Sequence, residues 1–436
     1  MPEVTGSSPV GSIIAIFFCF LPFSVFPATI EASLGWQGIP VGEAVNPLYI
    51  RILNPEPYAL QAELTVTQKI GSPWRGWAER ILTLSLLLPP ERTTAYVLPW
   101  PLRSGERYLH LSLWGEAGLL AETDLPLPTP AQGLVGYTGP PPSRASPFPA
   151  IPLTPTQLPR DPLFLSSFRA LHLGEEPLAP ELRGAARTWE AFFGPEGLLR
   201  HIERKTLAKA LGEIPLSPRP LGLVAAGTLV YLGLLYVTVG RLAREGDWRP
   251  YLALFLVATG ASIAATRFIR GERVVEVRWE IEDSRAPGYV LQFAALAAKE
   301  EVTWELPGLW VEMLPTEEGG WSGRNLTWRF SPGEKWTSLS VAPDEKRILW
   351  TASTYTGTAK RWERYVVLPE GIRTPDGRIV DRTSLRRQLD RGIRPVVDAL
   401  LAQLAPGDSF WLEHRREEGK NFVRHRFEVF LERAEG

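Results

Sequence analysis

Five histidines, one cysteine and a few adjacent carboxylates are the side chains that could carry chemistry in this chain. His110, His172, His201, His414 and His425 are scattered, with no HExxH and no paired spacing, so a histidine-built metal site is not expected. Cys19 is the lone cysteine and lies in an N-terminal apolar run. One thiol excludes an intramolecular disulfide and any cysteine-based metal site. Neither a metal nor a cofactor is implied, and no residue is nominated as catalytic. The acidic pairs Glu300/Glu301, Glu317/Glu318 and Glu417/Glu418 could imitate a glycosidase couple. That chemistry needs two carboxylates held about 5–10 Å apart in space, which adjacency in sequence does not supply. Solvated turn residues are the simpler reading.

Tryptophan is the other unusual feature. Nine of the 16 tryptophans fall in residues 272–436: Trp279, Trp304, Trp310, Trp321, Trp328, Trp336, Trp350, Trp362 and Trp411. Indole faces stack on sugar C–H surfaces, but they also fill cores and pair across strands. Most of these positions alternate with polar residues, which is the core pattern. Trp321 sits on a loop in Gly319-Gly320-Trp321-Ser322-Gly323 and is the candidate ligand contact.

Composition narrows the partners. The 436 residues carry 47 basic and 48 acidic side chains, a net charge of −1, so no global field recruits nucleic acid. Arg386-Arg387 and Arg415-Arg416 are too small as basic patches to argue for it. Of the 47 basic residues only eight are lysine, and there are four asparagines, two methionines and 41 prolines. Few thermolabile residues and many loop prolines fit a heat-adapted protein; a GC-rich genome gives much the same bias. The length suggests two to four domains.

The elements that must hold these residues read as follows. Residues 13–26, IIAIFFCFLPFSVF, form a 14-residue apolar segment, short for a membrane span and close to the core of a secretory signal. The preceding residues carry no Lys or Arg, and Phe26-Pro27-Ala28 is a poor cleavage site. Residues 1–28 are therefore expected to be a signal peptide or an uncleaved N-terminal anchor. Residues 29–128 alternate with period two in short runs, including Leu60, Ala62, Leu64 and Val66 against Gln61, Glu63, Thr65 and Thr67. Six or seven such runs between proline-rich turns predict an immunoglobulin-like β-sandwich.

Residues 129–212 are proline-rich and then helical. Leu134–Thr138, Ala150–Leu153 and Ala170–Leu173 read as short strands, and Ala179–Phe193 as a helix with Pro180 in its first turn. A second amphipathic run covers Glu196–Leu211. Strands alternating with helices make a small α/β unit. With the strand pieces, Leu158-Pro159 before Phe164, and Phe168–Gly174 leading to the Trp189 helix, this stretch resembles the class I glutamine amidotransferase fold. In that form it precedes the membrane in poorly characterised bacterial envelope proteins with an N-terminal β-sandwich. The resemblance implies a flavodoxin-like layer and no activity. His201-Ile202-Glu203 has that family's His-x-Glu spacing, yet no cysteine lies in the region, so a base and its orienting carboxylate have no nucleophile to activate.

Two apolar runs follow. Leu221–Val239 has 19 residues without a charge, and Tyr251–Thr266 has 16, extended to residue 269 beyond Arg267. A bilayer core of about 30 Å needs roughly 20 apolar residues, so transmembrane helices are expected at 221–239 and 251–269, joined by a cytoplasmic turn at 240–250. Arg241, Arg244 and Arg249 in the turn balance Arg267, Arg270, Arg273 and Arg278 after it, so the orientation rests on the N-terminal segment. Small residues at four-residue spacing, such as Gly222/Ala226 and Gly260/Ala264, suit close helix packing.

Residues 272–436 read as an extracytoplasmic, mostly antiparallel β domain. Val275, Val277, Trp279 and Ile281 alternate with Glu276, Arg278, Glu280 and Glu282. A helix-prone stretch, Ser384–Leu404, is interrupted at Gly392 and Pro395, and a hairpin closes the chain at Phe410–Arg415 and Phe422–Leu431. The expectation is a multi-domain membrane protein of the cell envelope with no catalytic centre. It would bind or scaffold an envelope protein or glycan through its β domains, with the lipid bilayer as a further partner. The alternatives are an envelope glycan hydrolase working through the C-terminal domain and a divergent, inactive amidotransferase relative.

Overall fold

The structure, a computed structural model, describes residues 28–72, 76–102, 107–139, 141–142, 146–153, 162–172, 180–214, 231–233, 235–236, 255, 258, 274–298, 301–313, 326–331, 334–343, 345–354, 363–419 and 422–434. Alternating apolar residues give the strands of the first half: β1 (Thr29–Leu34), β2 (Ala44–Asn54), β3 (Leu60–Ser72), β4 (Gly76–Leu88), β5 (Arg92–Leu102), β6 (Tyr108–Gly115) and β7 (Gly118–Pro126). The middle contributes β8 (Leu134–Tyr137), β9 (Ala150–Pro152), a 3₁₀ helix at Pro162–Ser167 and β10 (Phe168–His172). Three helices follow, α1 (Pro180–Phe192), α2 (Leu198–His201) and α3 (Arg204–Glu213).

The second half begins with β11 (Val274–Asp283), β12 (Tyr289–Ala298), β13 (Val302–Pro307), β14 (Val311–Glu312), β15 (Leu326–Ser331), β16 (Glu334–Val341) and β17 (Lys346–Thr354). It ends with β18 (Glu363–Leu368), β19 (Gly371–Arg373), β20 (Ile379–Val380), α4 (Arg382–Gln388), α5 (Arg394–Leu401), β21 (Ser409–Glu418) and β22 (Phe422–Glu432).

These strands make four sheets. A three-stranded sheet, β1-β2-β5, packs on a seven-stranded one, β13-β16-β15-β4-β3-β6-β7. The larger sheet crosses between the halves: β15 runs parallel to β4, with Leu326 beside Arg80 through to Phe330 beside Leu84. Leu82 and Trp328 meet on that seam, both fully buried, and the Trp328 ring stands edge-on to Trp100 of β5 at 5.6 Å. A nine-stranded sheet, β14-β17-β12-β11-β22-β21-β18-β19-β20, takes most of the second half, and its centre is the parallel pair β11 and β22. The middle segment forms a parallel three-stranded sheet, β10-β8-β9. One contiguous apolar core runs from Ala28 to Leu431 through all of these pieces.

The nine-stranded sheet has two unlike faces, because side chains alternate along a strand. On one, Val277, Trp279 and Ile281 join Phe427 and Val429 under the helices. Gly392 permits that contact, since a Cβ there would stand 2.6 Å from Ile214 Cδ1 and 3.1 Å from Phe427 Cε2. Trp279 Nε1 donates to the Gly392 carbonyl at 3.2 Å. The other face carries charge. Glu276, fully buried, accepts from Arg278 Nη2 and from Arg424 Nε, each at 2.7 Å. Glu280 accepts from Arg426 Nη2 at 2.7 Å, and Arg426 Nε stands 3.1 Å from Glu428. Arg278 and Arg424 in turn lie over the rings of Trp310 and Trp304, at 5.6 and 6.0 Å.

Three expectations need correction. No helix among the described residues is long and apolar enough to cross a membrane, so the multi-domain membrane protein with a two-helix transmembrane hairpin does not stand. Among the described residues the longest helix, α1, has 13 residues and spans only about 20 Å; apolar burial resides in the sheets instead. Most of 221–239 and 251–269, all of the 240–250 turn and residues 1–27 lie outside the described residues, and the few described ones in the two runs are helical. The immunoglobulin-like sandwich at 29–128 does not close on itself, because β15 occupies the free edge of β4. Likewise the region 272–436 is not a separate domain, because β13, β15 and β16 belong to the shared sheet; its pairings are mostly antiparallel, as expected, with β11 parallel to β22. What holds is a β-rich fold consistent with a β-sandwich.

Two measurements check this architecture. Leu82→Ala and Trp328→Ala, one in each half, should both lower the same urea transition by about 2–5 kcal/mol; two separately shifted transitions would contradict the shared sheet. Glu276→Ala should cost about 3–5 kcal/mol because it removes a buried carboxylate and strands the part-buried guanidiniums of Arg278 and Arg424. Glu417→Ala, at a half-exposed partner of Arg424, should cost under about 1 kcal/mol in the same assay.

Candidate functional site

A cavity of about 210 Å³ opens where the halves and the middle segment meet. Its floor comes from β2 and from the 3₁₀ helix, which is tied to that strand: Ser166 Oγ accepts from Val45 N–H at 3.1 Å, and Ser167 Oγ donates to the Val45 carbonyl at 2.8 Å. Its apolar wall includes Phe193, whose ring meets Trp350 of β17 edge-on at 6.0 Å, with Leu199, Val311 and Leu326. Its polar wall is cationic. Arg80 on β4, Arg169 on β10 and Arg200 on α2 all line it.

Each guanidinium is positioned differently. Arg80 is 5% exposed and donates through Nη1 to the Pro101 carbonyl at 3.0 Å. Arg169 Nε donates to the Gln132 carbonyl at 3.1 Å, which leans the side chain across Gly133. Arg200 has its pKa lowered from the usual arginine value, first by burial and then by the neighbouring charge of Arg169. Two like charges are thus held close together. The carboxylates on the same lining are Glu43 and Glu312, and Glu312 is ion-paired with Arg347 at 3.0 Å. The Ser166 hydroxyl gives its proton to the Leu163 carbonyl at 2.7 Å, and no histidine, cysteine or lysine lines the cavity among the described residues. The lining can hold an anion, but it has no nucleophile with a base beside it.

A second cluster lies on the closing hairpin. His414 Nδ1 stands 2.7 Å from Asp390 Oδ2, and its Nε2 is 3.2 Å from His425 Nδ1. A single hydrogen bridges His414 Nε2 and His425 Nδ1, its direction set by the tautomers, and both rings stack near Phe427. Burial, then the charges of His414 and Arg416, lower the His425 pKa to about 4, against the opposing pull of Asp390 and Glu418. The arrangement has the form of a base and its orienting carboxylate. Among the described residues, no group of three or more His, Cys, Asp and Glu side chains could hold a metal ion.

The sequence candidates fall as follows. Trp321 lies outside the described residues, as do Glu300, Glu317, Glu318 and Cys19. Glu417 pairs with Arg424 at 3.2 Å and Glu418 with Arg416 at 2.6 Å, so both carboxylates are held by guanidiniums. His201 ends α2, 3.8 Å from Glu196, and Glu203 is the residue before α3; the two are not assembled into a base pair. His110 bonds Asp124 at 2.8 Å on the surface. Trp279, Trp310, Trp328 and Trp350 are core, Trp304 and Trp411 are half-buried, and Trp336 is exposed. The arginine cavity was missed, because its residues come from three distant stretches; the one signal was the surplus of arginine over lysine.

No family model and no curated protein matches this chain. Among solved structures, a DNA-bound alkylpurine DNA glycosylase AlkC of Pseudomonas fluorescens aligns with TM-score 0.19 and 8% identity, over 24% of this chain and 31% of that one. CsgH of R. palustris aligns with TM-score 0.17 and 15% identity, over 23% of this chain and 91% of its own. The ApaA protein from Bordetella pertussis gives TM-score 0.16 and 16% identity, over 23% and 92%. At such scores the likenesses are fragmentary and carry no argument about function.

The lowered His425 pKa has a sign that can be checked. Unfolded histidine titrates near pH 6.5, so between that pH and about 4 the unfolded chain binds the extra proton. Stability should therefore fall as pH drops through this window. His425→Gln should flatten that part of the profile of urea midpoint against pH, while the change above pH 7 stays the same. An unaltered slope between pH 6.5 and 4.5 would remove His425 as the source.

Proposed function

We propose that this chain is a non-catalytic protein of the cell envelope that binds or scaffolds partners through its β sheets and the cavity between them. The observation that carries this reading is the cavity lining, which offers three guanidiniums and an apolar wall but no nucleophile and base in register. Binding needs only the former; turnover of an ester, amide or glycoside needs the latter.

Further support comes from the carboxylates of the second half. Glu276, Glu280, Glu417 and Glu418 are each engaged by an arginine, so none of these four is placed as half of a glycosidase couple. The parallel sheet β10-β8-β9 followed by α1 supports reading the middle segment as an α/β layer related to the amidotransferase fold, without its chemistry. The envelope location and the protein or glycan partner rest on the sequence alone, chiefly on the apolar segment at 13–26.

The test has two arms. Purified full-length protein should release no reducing ends from envelope glycans while retaining a partner or glycan in pull-down from solubilised membranes. A reporter active only outside the cytoplasm, fused after Gly436, should be active. Sustained glycan hydrolysis abolished by a single carboxylate substitution would replace this reading with the hydrolase one.

A further inference from the structure

The cavity between the halves is built for a particular kind of ligand. We propose that it binds a small organic monocarboxylate with an apolar body, an inference that rests on the binding reading above and names its ligand.

Charge argues for an anion. Arg80, Arg169 and Arg200 line the cavity with Glu43 and Glu312, and Glu312 is already paired with Arg347, so the guanidiniums outnumber the carboxylates left to meet them. Inorganic phosphate would meet that charge but has no apolar body for the rest of the space. Arginine also suits the head group by geometry, since its planar fork donates two parallel N–H bonds to a carboxylate. Arg169 spends only Nε on the Gln132 carbonyl, which leaves its outer N–H groups for a ligand. The Arg169 charge helps lower the Arg200 pKa, and an anion beside both would offset that repulsion.

Shape argues for the apolar body. Phe193, Leu199, Val311, Leu326 and Trp350 line the same cavity, with Leu326 beside Arg80 across the strand seam. At about 210 Å³ the space exceeds the roughly 150 Å³ that houses benzene in an engineered apolar cavity. A phenyl ring on a short chain, about a dozen heavy atoms, fills it. A second hollow of about 450 Å³ near Val97 and Pro99 is larger but has Lys335 as its one charged lining residue among those described, so it lacks the paired guanidiniums that select a carboxylate.

The experiment is calorimetric titration of the full-length protein with 4-phenylbutyrate, 4-phenylbutyramide and inorganic phosphate. Saturable one-to-one binding of 4-phenylbutyrate is expected, with the amide at least about tenfold weaker because a bond to a charged group is lost, and phosphate not detected because it has no apolar body to bury. Arg169→Ala and Arg200→Ala should each weaken 4-phenylbutyrate about tenfold or more. Both side chains are exposed enough that the variants should keep the parent's urea midpoint, and Arg200→Lys should recover part of the affinity. Equal affinity for acid and amide, unchanged binding in both variants, or no saturable binding would each overturn the proposal. Partner retention in pull-down that persists through such a failure would leave the binding reading standing, whereas glycan turnover would remove that reading whatever the titration gives.

Discussion

The five-residue parallel pairing of β4 with β15 is the constraint on which the rest of the molecule depends. It is short, but it converts two strand-rich regions into one sheet and forces their apolar faces into a common core. Once the seam is set, β5 lies against Trp328, Arg80 reaches the Pro101 carbonyl, and Leu326 comes to line the same cavity as Ser166 of the 3₁₀ helix. The cavity is therefore a product of the seam. None of the three segments could make it alone, since Arg80, Arg169 and Leu326 come from different ones.

The charged face of the nine-stranded sheet plays a second organising role. Glu276 opposite Arg424, and Arg278 opposite Arg426, are direct neighbours across the parallel pair β11 and β22. A slip of one residue would turn every one of these side chains towards the helices, where Trp279 and Phe427 now pack. Buried ion pairs add little net stability compared with apolar packing; here they also make the wrong register costly. Trp304 and Trp310 over the arginines join this polar layer to the strands of the neighbouring sheet.

Local structure was legible in the chain and long-range structure was not. The helix read at Ala179–Phe193 runs Pro180–Phe192, the stretch interrupted at Gly392 divides into α4 and α5, and the closing hairpin sits where it was read. Each of these signals lies within a dozen residues: a proline in a first turn, a period of 3.6, an alternation of two. The seam has no such signal, because Leu82 and Trp328 obey the same alternation as any buried strand position. A proline-rich stretch also reads as a linker, although its strands β8, β9 and β10 lie in a sheet bound to the core. The two apolar runs satisfied a length rule for membrane helices, but the described helices are amphipathic or short. His414 and His425 were passed over as scattered, yet they sit nearly opposite each other once the hairpin register is known.

The seam also dictates a schedule. Arg80 and Leu326 are paired but stand 326 − 80 = 246 positions apart, and a ribosome adds roughly 5–20 residues per second. One edge of β4 is thus finished roughly 10–50 s before its partner strand exists, with its backbone groups unmatched and its apolar face uncovered. An unpaired edge of this kind templates association with other chains. Whatever folds this protein in the cell must shield the first half through that interval, and a chain cut short before residue 326 would leave the edge bare for good.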